Sequence, residues 1–334
     1  MKYSRRYIDL LLKILVFRKE VLTLKHAFVI LHYLAVEDTL ECVNSILKNI
    51  KYTNYSIVII DNGSENNSIA TLKSHLEKLD NVFIIESKEN LGFAKGNNLG
   101  YQFAKTKLQA ESIIMLNNDT IIEQEDFLTK VDDIYAETQY DILGPDIISL
   151  KDDQHQNPYK IKVMDFSIEN VHKELKNRRT SRFLNKTYIQ QIGVNIYKKV
   201  LKRYLKKYRE KNRMKNRVQF NYQERIEGYK LHGSCYIFSP QYIKKYNGLY
   251  SGTFMYMEED ILFYVATKEN MKLLYDPSIT IFHKEDSSTN ALLSSNRMKL
   301  EFIYKHEIDS LKELAKIIEN DAVYKNDMYE IYNG

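Results

Sequence analysis

The sequence predicts an α/β fold in which a largely parallel sheet is covered by helices on both faces, and three observations point to it. Four short apolar runs, at 28–33, 56–60, 82–85 and 112–116, are separated by stretches with helical periodicity. The runs are almost continuously apolar, as strands buried on both faces are. The chain of 334 residues, 44% of them apolar, is long enough to bury the core that such a sheet needs.

Residues 1–25 place charges at both ends of a short apolar run. It is shorter than the ~20 residues of a spanning helix and has no small-residue cleavage site, so an amphipathic or core-packing helix is expected. After the first strand, Asp38 and Glu41 make a capping-box pattern ahead of Leu40, Val43, Leu47 and Ile50, which recur at helical spacing. Helices over 70–79 and 98–105 follow, and residues 26–150 form one half of the sheet domain. Residues 151–227 break the rhythm, being polar and basic, and read as a helical insertion. Apolar segments return at 231–238 and 272–282, which places the second half of the domain at 228–290. From Asn296 onward Leu300, Ile303, Ile308, Leu311, Leu314, Ile317 and Ile318 recur as on a helix. Residues 291–334 are therefore expected to form a helical tail; oligomeric state is open in the sequence, with this tail the candidate contact surface for a homo-oligomer.

The net charge of +5 is unevenly spread, because residues 196–217 hold eleven Lys/Arg against one Glu and leave the rest of the chain at −5. Cys42 and Cys235 are the only cysteines, so there is neither a disulfide framework nor a cysteine metal site, and a reducing cytoplasm fits. A nucleic-acid-binding protein would explain the basic segment but not the acids around Asp119 and Glu259, which repel phosphates.

The second apolar run ends in VIIDNGSENNS, putting Asp61, Asn62 and Ser64 at a strand's carboxyl end, where open α/β sheets bind ligands. A carboxylate there can accept the imide N–H of uracil or thymine, although Asp-Asn-Gly-Ser is also ordinary turn chemistry. The third run leads into ENLGFAKGNNLG, in which Gly92, Gly96 and Gly100 surround Asn90, Asn97 and Asn98 ahead of a helix. Glycines let backbone N–H groups approach a ligand, and a helix N-terminus favours phosphate. The glycine spacing is not that of a dinucleotide fingerprint, and the first run continues into HYLAVED without a glycine. That disfavours NAD or FAD chemistry, and equally a nucleotidyltransferase loop.

The fourth run ends in IIMLNNDT, so Asp119 emerges at the same edge, able either to hold a divalent cation through hard oxygen ligands or to cap the next helix. In TFMYMEEDILF, Glu258, Glu259 and Asp260 directly follow an aromatic-rich apolar run. Three adjacent carboxylates there need a cation, a substrate or a helix N-terminus to offset their repulsion. His283 closes the run ITIFH as a ligand, an acid/base group or a structural histidine.

In this order the segments DNGS, NLGFAKGNN, LNND and FMYMEED resemble the family-two glycosyltransferases, especially rhamnosyltransferase-like and capsular polysaccharide members. The likeness covers residues 26–125 closely and 231–288 more loosely. It implies the GT-A fold, a Rossmann-like mixed sheet with helices on both faces. It also implies a UDP- or dTDP-linked sugar donor, a divalent metal (Mn2+ or Mg2+) and inversion at the anomeric carbon. On that analogy Asp61 binds the base, and Tyr33, Asn62, Asn90, Gly92, Phe93, Asn97, Asn117 and Asn118 serve the donor. Asp119 and His283 hold the metal, and Gly233 and Ser234 face the acceptor. The general base lies in Glu258, Glu259 or Asp260, with Glu259 first and Asp260 second. Asn117 stands where the metal motif usually has its first acid, so a metal would rest on one carboxylate.

In the basic segment Tyr197, Val200, Leu201, Tyr204, Leu205 and Tyr208 form one helical stripe. Such a helix can pack on the domain or lie on an anionic leaflet, each basic residue contributing ~1 kcal/mol near the surface. The second arrangement would hold a cytoplasmic enzyme against the inner face of the membrane. There it would meet a lipid-linked saccharide acceptor, in cell-surface or capsular polysaccharide synthesis. A catalytically silent scaffold of the same fold is the alternative from another class, and it would lose the acids that this chain keeps.

Overall fold

The computed structural model describes residues 23–160, 163–187, 218–285 and 295–329. The helix expected at 1–25 and the basic stripe of 196–217 lie outside the described residues, apart from 23–25, which precede the first strand. Strands β1 (His26–His32), β2 (Tyr55–Asp61), β3 (Val82–Glu86) and β4 (Ser112–Asn117) alternate with helices α1 (Val36–Asn49), α2 (Ser68–Leu76) and α3 (Phe93–Thr106). These four strands are parallel, as their apolar runs predict. There follow β5 (Thr120–Ile121), α4 (Phe127–Thr138), β6 (Ile142–Ser149), α5 (Ile168–Lys186), β7 (Ile226–Glu227) and β8 (Cys235–Phe238). The chain continues through α6 (Pro240–Lys245), α7 (Glu258–Lys268), β9 (Leu273–His283), α8 (Asn296–Glu319) and α9 (Ala322–Met328).

All nine strands among the described residues join one sheet, in the order β3-β2-β1-β4-β8-β6-β9-β5 with β7 beside β9. The second half is mixed: β8 is antiparallel to β4 and β6, β9 runs parallel to β6, and β5 lies antiparallel on the end of β9. Side chains alternate across a strand. Phe28 and Ile30 of β1 therefore pack with Val43 and Ile46 of α1, Leu72 of α2 and Val131 of α4. Ala27 and Val29 face the other way, onto Tyr101 and Ala104 of α3, in the cluster that also takes Ile261 of α7 and Leu311 of α8. Both faces are covered, which is why the runs are continuously apolar.

Two local expectations are corrected. Helix α1 starts after Ala35 without a side-chain cap, and Asp38 and Glu41 instead grip the ammonium of Lys284, Asp38 at 2.6 Å. Helix α3 starts at Phe93, so Gly96 and Gly100 lie inside it rather than in a ligand loop. A Cβ at Gly100 would come within 2.3 Å of Ile60 Cδ1 and 2.6 Å of Val29 Cγ1, so this glycine lets α3 settle onto the sheet. Ile308, Leu311, Leu314 and Ile317 of α8 are buried within the domain, as their helical spacing predicts. No helix among the described residues is long and apolar enough to cross a membrane.

Candidate active site

Parallel pairing sets His32 opposite Asp61 and Leu31 opposite Asn117, so β1, β2 and β4 end along one edge. The start of β8 joins them there, Asn117 N–H donating to Ser234 O at 2.9 Å. A cavity of about 400 Å³ opens at this edge. Of the residues expected at the site, Tyr33, Asn62, Asn90, Gly92, Phe93, Asn117, Asn118, Asp119, Gly233, Ser234, Glu258, Glu259 and His283 line it. Leu31, His232, Phe254, Met255, Tyr256 and Phe302 line it as well, and the sequence reading missed them.

Asp61, Asn97 and Asp260 are not among the lining residues. Asp61 is 4% exposed and accepts the Ser64 N–H at 3.2 Å. Asn97, expected at the donor, turns its amide back along α3 to Phe93 O at 3.0 Å. Asp260 is tied to the Lys230 ammonium at 2.8 Å.

The glycine loop is held by its own polar groups. Asn62 Nδ2 donates to Asn90 Oδ1 at 3.0 Å and to Gly92 O at 3.1 Å, while Asn62 Oδ1 accepts the Leu91 N–H at 2.9 Å. Gly92 N–H donates to Asn90 Oδ1 at 2.9 Å, and Phe93 N–H to Phe254 O at 2.7 Å. The amides of Leu91 and Gly92 are thus spent on Asn62 and Asn90, and that of Phe93 on the segment before α7, contrary to the expectation that the loop's amides approach phosphate. Gly92 has φ +80, and a Cβ there would lie 2.0 Å from Phe254 O, so only glycine fits this crossing.

Asp119 and His283 meet because β5 pairs with β9, Thr120 opposite His283, and Lys284 N–H donates to Asp119 O at 2.9 Å. His283 Nε2 stands 3.3 Å from Asp119 Oδ1. The other ring nitrogen, Nδ1, donates to Gln156 Oε1 at 2.8 Å. Gln156 is oriented in turn, since its Nε2 donates to the Glu285 carboxylate. With Nδ1 spent on Gln156, Nε2 is the ring nitrogen left facing the Asp119 carboxylate, an arrangement that a cation between them would satisfy. Among the described residues no group of three or more His, Cys, Asp or Glu converges to hold a metal. One carboxylate and one imidazole with open positions beside them would suit a cation such as Mn2+ or Mg2+, whose remaining positions water and phosphate oxygens fill.

Helix α7 begins at Glu258, so the acids sit on its positive end. Glu258 accepts from Thr253 Oγ1 at 3.0 Å. Burial first, then the Glu259 charge, pushes its carboxyl up to about 7. Glu259 is raised by burial, although the Gly233 N–H reaches it and opposes the rise. A Cβ at Gly233 would lie 2.8 Å from Glu259 Oε1, so this glycine makes room for the carboxylate. The loop before α7 runs through two consecutive left-handed residues, Tyr256 (φ +70) and Met257 (φ +68). Such conformations cost about 1–3 kcal/mol each and persist where surroundings hold them. Here Ser310 Oγ of α8 donates to Met255 O at 3.1 Å.

His232 accepts the Ser234 N–H through Nδ1 at 3.2 Å, and burial, assisted by His283, pushes it down to about 3. It is a neutral wall of the cavity. Only its place beside Gly233 and Ser234 could have flagged it in the sequence, whereas nothing local flags Gln156 or Phe302.

The family model for Glycosyl transferase family 2 matches residues 28–209, more than half of the chain. The hexosyltransferase Agl10 of low-salt glycan biosynthesis in Haloferax volcanii is 30% identical over 127 residues, 37% of this chain and 36% of that protein. The dTDP-rhamnosyl transferase RfbF of Shigella flexneri is 30% identical over 119 residues, 36% of this chain and 38% of that protein. The matched stretches thus span little more than a third of either relative. A crystal structure of GalNAc-T7 with UDP, GalNAc and Mn2+ superposes with a TM-score of 0.53 at 13% identity, over 88% of this chain and 49% of that one. This likeness shows the shared GT-A fold.

Proposed function

Because the chain belongs to glycosyl transferase family 2, we propose that it moves a sugar from a UDP- or dTDP-linked donor to a saccharide acceptor, inverting the anomeric carbon. Support comes from one cavity that gathers Asp119 facing His283 Nε2 and the glutamate pair of raised pKa. Glu259 takes the proton of an acceptor hydroxyl, whose oxygen forms the new bond to the anomeric carbon. The bond from that carbon to the diphosphate breaks, and its electron pair leaves with the diphosphate. A divalent cation, Mn2+ or Mg2+, held by Asp119 and His283 would neutralise the charge that develops on this leaving group. A carboxylate of ordinary pKa is a weak base, so burial that raises Glu259 improves its match to the task. Asp260, paired with the Lys230 ammonium at 2.8 Å, stands second to Glu259 as the base. Asp61 remains assigned to the base of the nucleotide, on the analogy drawn from the sequence.

The acceptor is proposed to be lipid-linked, with the protein peripheral on the inner face of the membrane; the charge concentrated in residues 196–217 supports this. The test is a panel of UDP-glucose, UDP-galactose, UDP-N-acetylglucosamine and dTDP-rhamnose, each with and without MnCl2. Slow hydrolysis of one donor, with thermal stabilisation that requires the metal, is expected. Binding without turnover in the presence of saccharide acceptors would favour the silent scaffold, and no stabilisation by any nucleotide would refute both.

A further inference from the structure

One wall of the cavity is aromatic, and it comes from two distant parts of the chain. Phe254, Met255 and Tyr256 belong to the loop before α7, and Phe302 belongs to α8. Phe254 stacks on His306 of α8 at 4.7 Å, Phe302 packs on the same imidazole at 4.4 Å, and Tyr256 meets Phe302 edge-on at 6.4 Å. His306 is buried behind them, while the three rings stay half-buried and face the cavity. Three aromatic rings kept partly in water, two of them on a loop held through two left-handed residues, are a poor solution for stability alone. They are a good one for a ligand that offers an apolar face and polar edges. A pyranose ring does so: its axial C–H bonds form an apolar face, and its hydroxyls project from the rim. The wall leads directly into Glu258 and Glu259, so a ring stacked there has carboxylates beside it to receive its hydroxyls.

We infer that Phe254, Tyr256 and Phe302 form a sugar-stacking platform for the acceptor, and that α8, beyond the residues matched by the family model, is part of the acceptor site. The assignment rests on the transferase function proposed above. The sequence contains no tryptophan, so Phe302→Trp keeps a stacking ring and makes it the sole indole reporter. Titrating this variant with the methyl glycosides of glucose, galactose, N-acetylglucosamine and rhamnose, in the presence of UDP and MnCl2, should give a saturable emission change with at least one. Phe302→Leu keeps the apolar bulk but removes the ring. It should raise KM for that glycoside about tenfold, the loss of one aromatic contact. Flat emission with every glycoside, or an unchanged KM in Phe302→Leu, overturns the platform. Donor hydrolysis by the wild type separates the two proposals. Its absence together with an emission change sinks the transferase reading and leaves the sugar site standing, and its presence with flat emission sinks the platform alone.

Discussion

Glu258 ties the stability of the fold to pH in a way that one substitution isolates. Its carboxyl moves from 4.5 to about 7 on folding, through burial and then the Glu259 charge. Between those values the folded chain holds a proton that the unfolded chain has released. The associated stability is complete below about pH 4.5 and is lost as pH rises through about 7. At about 1.4 kcal/mol per pH unit the loss is about 3 kcal/mol. Glu258→Gln cannot ionise, yet its amide oxygen can still accept from Thr253 Oγ1, so the variant lacks this loss. Urea denaturation of both proteins, followed by far-UV circular dichroism from about pH 5 to pH 8, should show the variant gaining about 3 kcal/mol on the wild type toward the alkaline end. Parallel stability curves would mean that Glu258 ionises as an ordinary exposed carboxyl, and the buried acid pair would lose its basis.

The remaining expectations concern chemistry and architecture. Asp119→Ala should abolish transfer and the manganese-dependent part of nucleotide stabilisation; unchanged metal dependence in a folded variant would remove Asp119 from the proposed metal site. Glu259→Gln should lower turnover by roughly 10²–10⁴-fold with donor binding retained, and full turnover alongside an inactive Asp260→Asn would move the base by one residue. Gly92→Ala should cost roughly 2 kcal/mol or more in urea denaturation, because alanine meets both the positive φ and the Phe254 carbonyl. Wild-type protein should bind acidic vesicles and release as salt rises. Glutamine at Lys198, Lys199, Lys202, Arg203, Lys206 and Lys207 should abolish that capture, and equal binding by both proteins would make the segment an ordinary solvated helix.

Much of the site was legible because its motifs end strands. Asp119 and His283 could each be named from the sequence, since a polar residue closing an apolar run in an α/β sheet falls at the ligand edge. The errors were equally local in origin. Asp38 and Glu41 fit a capping box by spacing, yet a lysine from the far end of the chain claims both. The glycines of the third motif read as a phosphate loop, whereas Gly96 and Gly100 relieve contact between a helix and the sheet beneath it.

The sequence by itself determined the four parallel strands, the helices between them and the identity of the acids. Continuous apolarity and helical spacing are properties of neighbours along the chain. Only the tertiary structure decided which polar groups meet. The pairing of β5 with β9 brings His283 within 3.3 Å of Asp119, and the segment after β6 turns back to set Gln156 behind the imidazole. Packing of α8 on the loop before α7 adds Phe302 to the cavity. The raised acids belong to the same level, because removing water from Glu258 and Glu259 requires surfaces from several elements at once, and no stretch of sequence carries that desolvation alone.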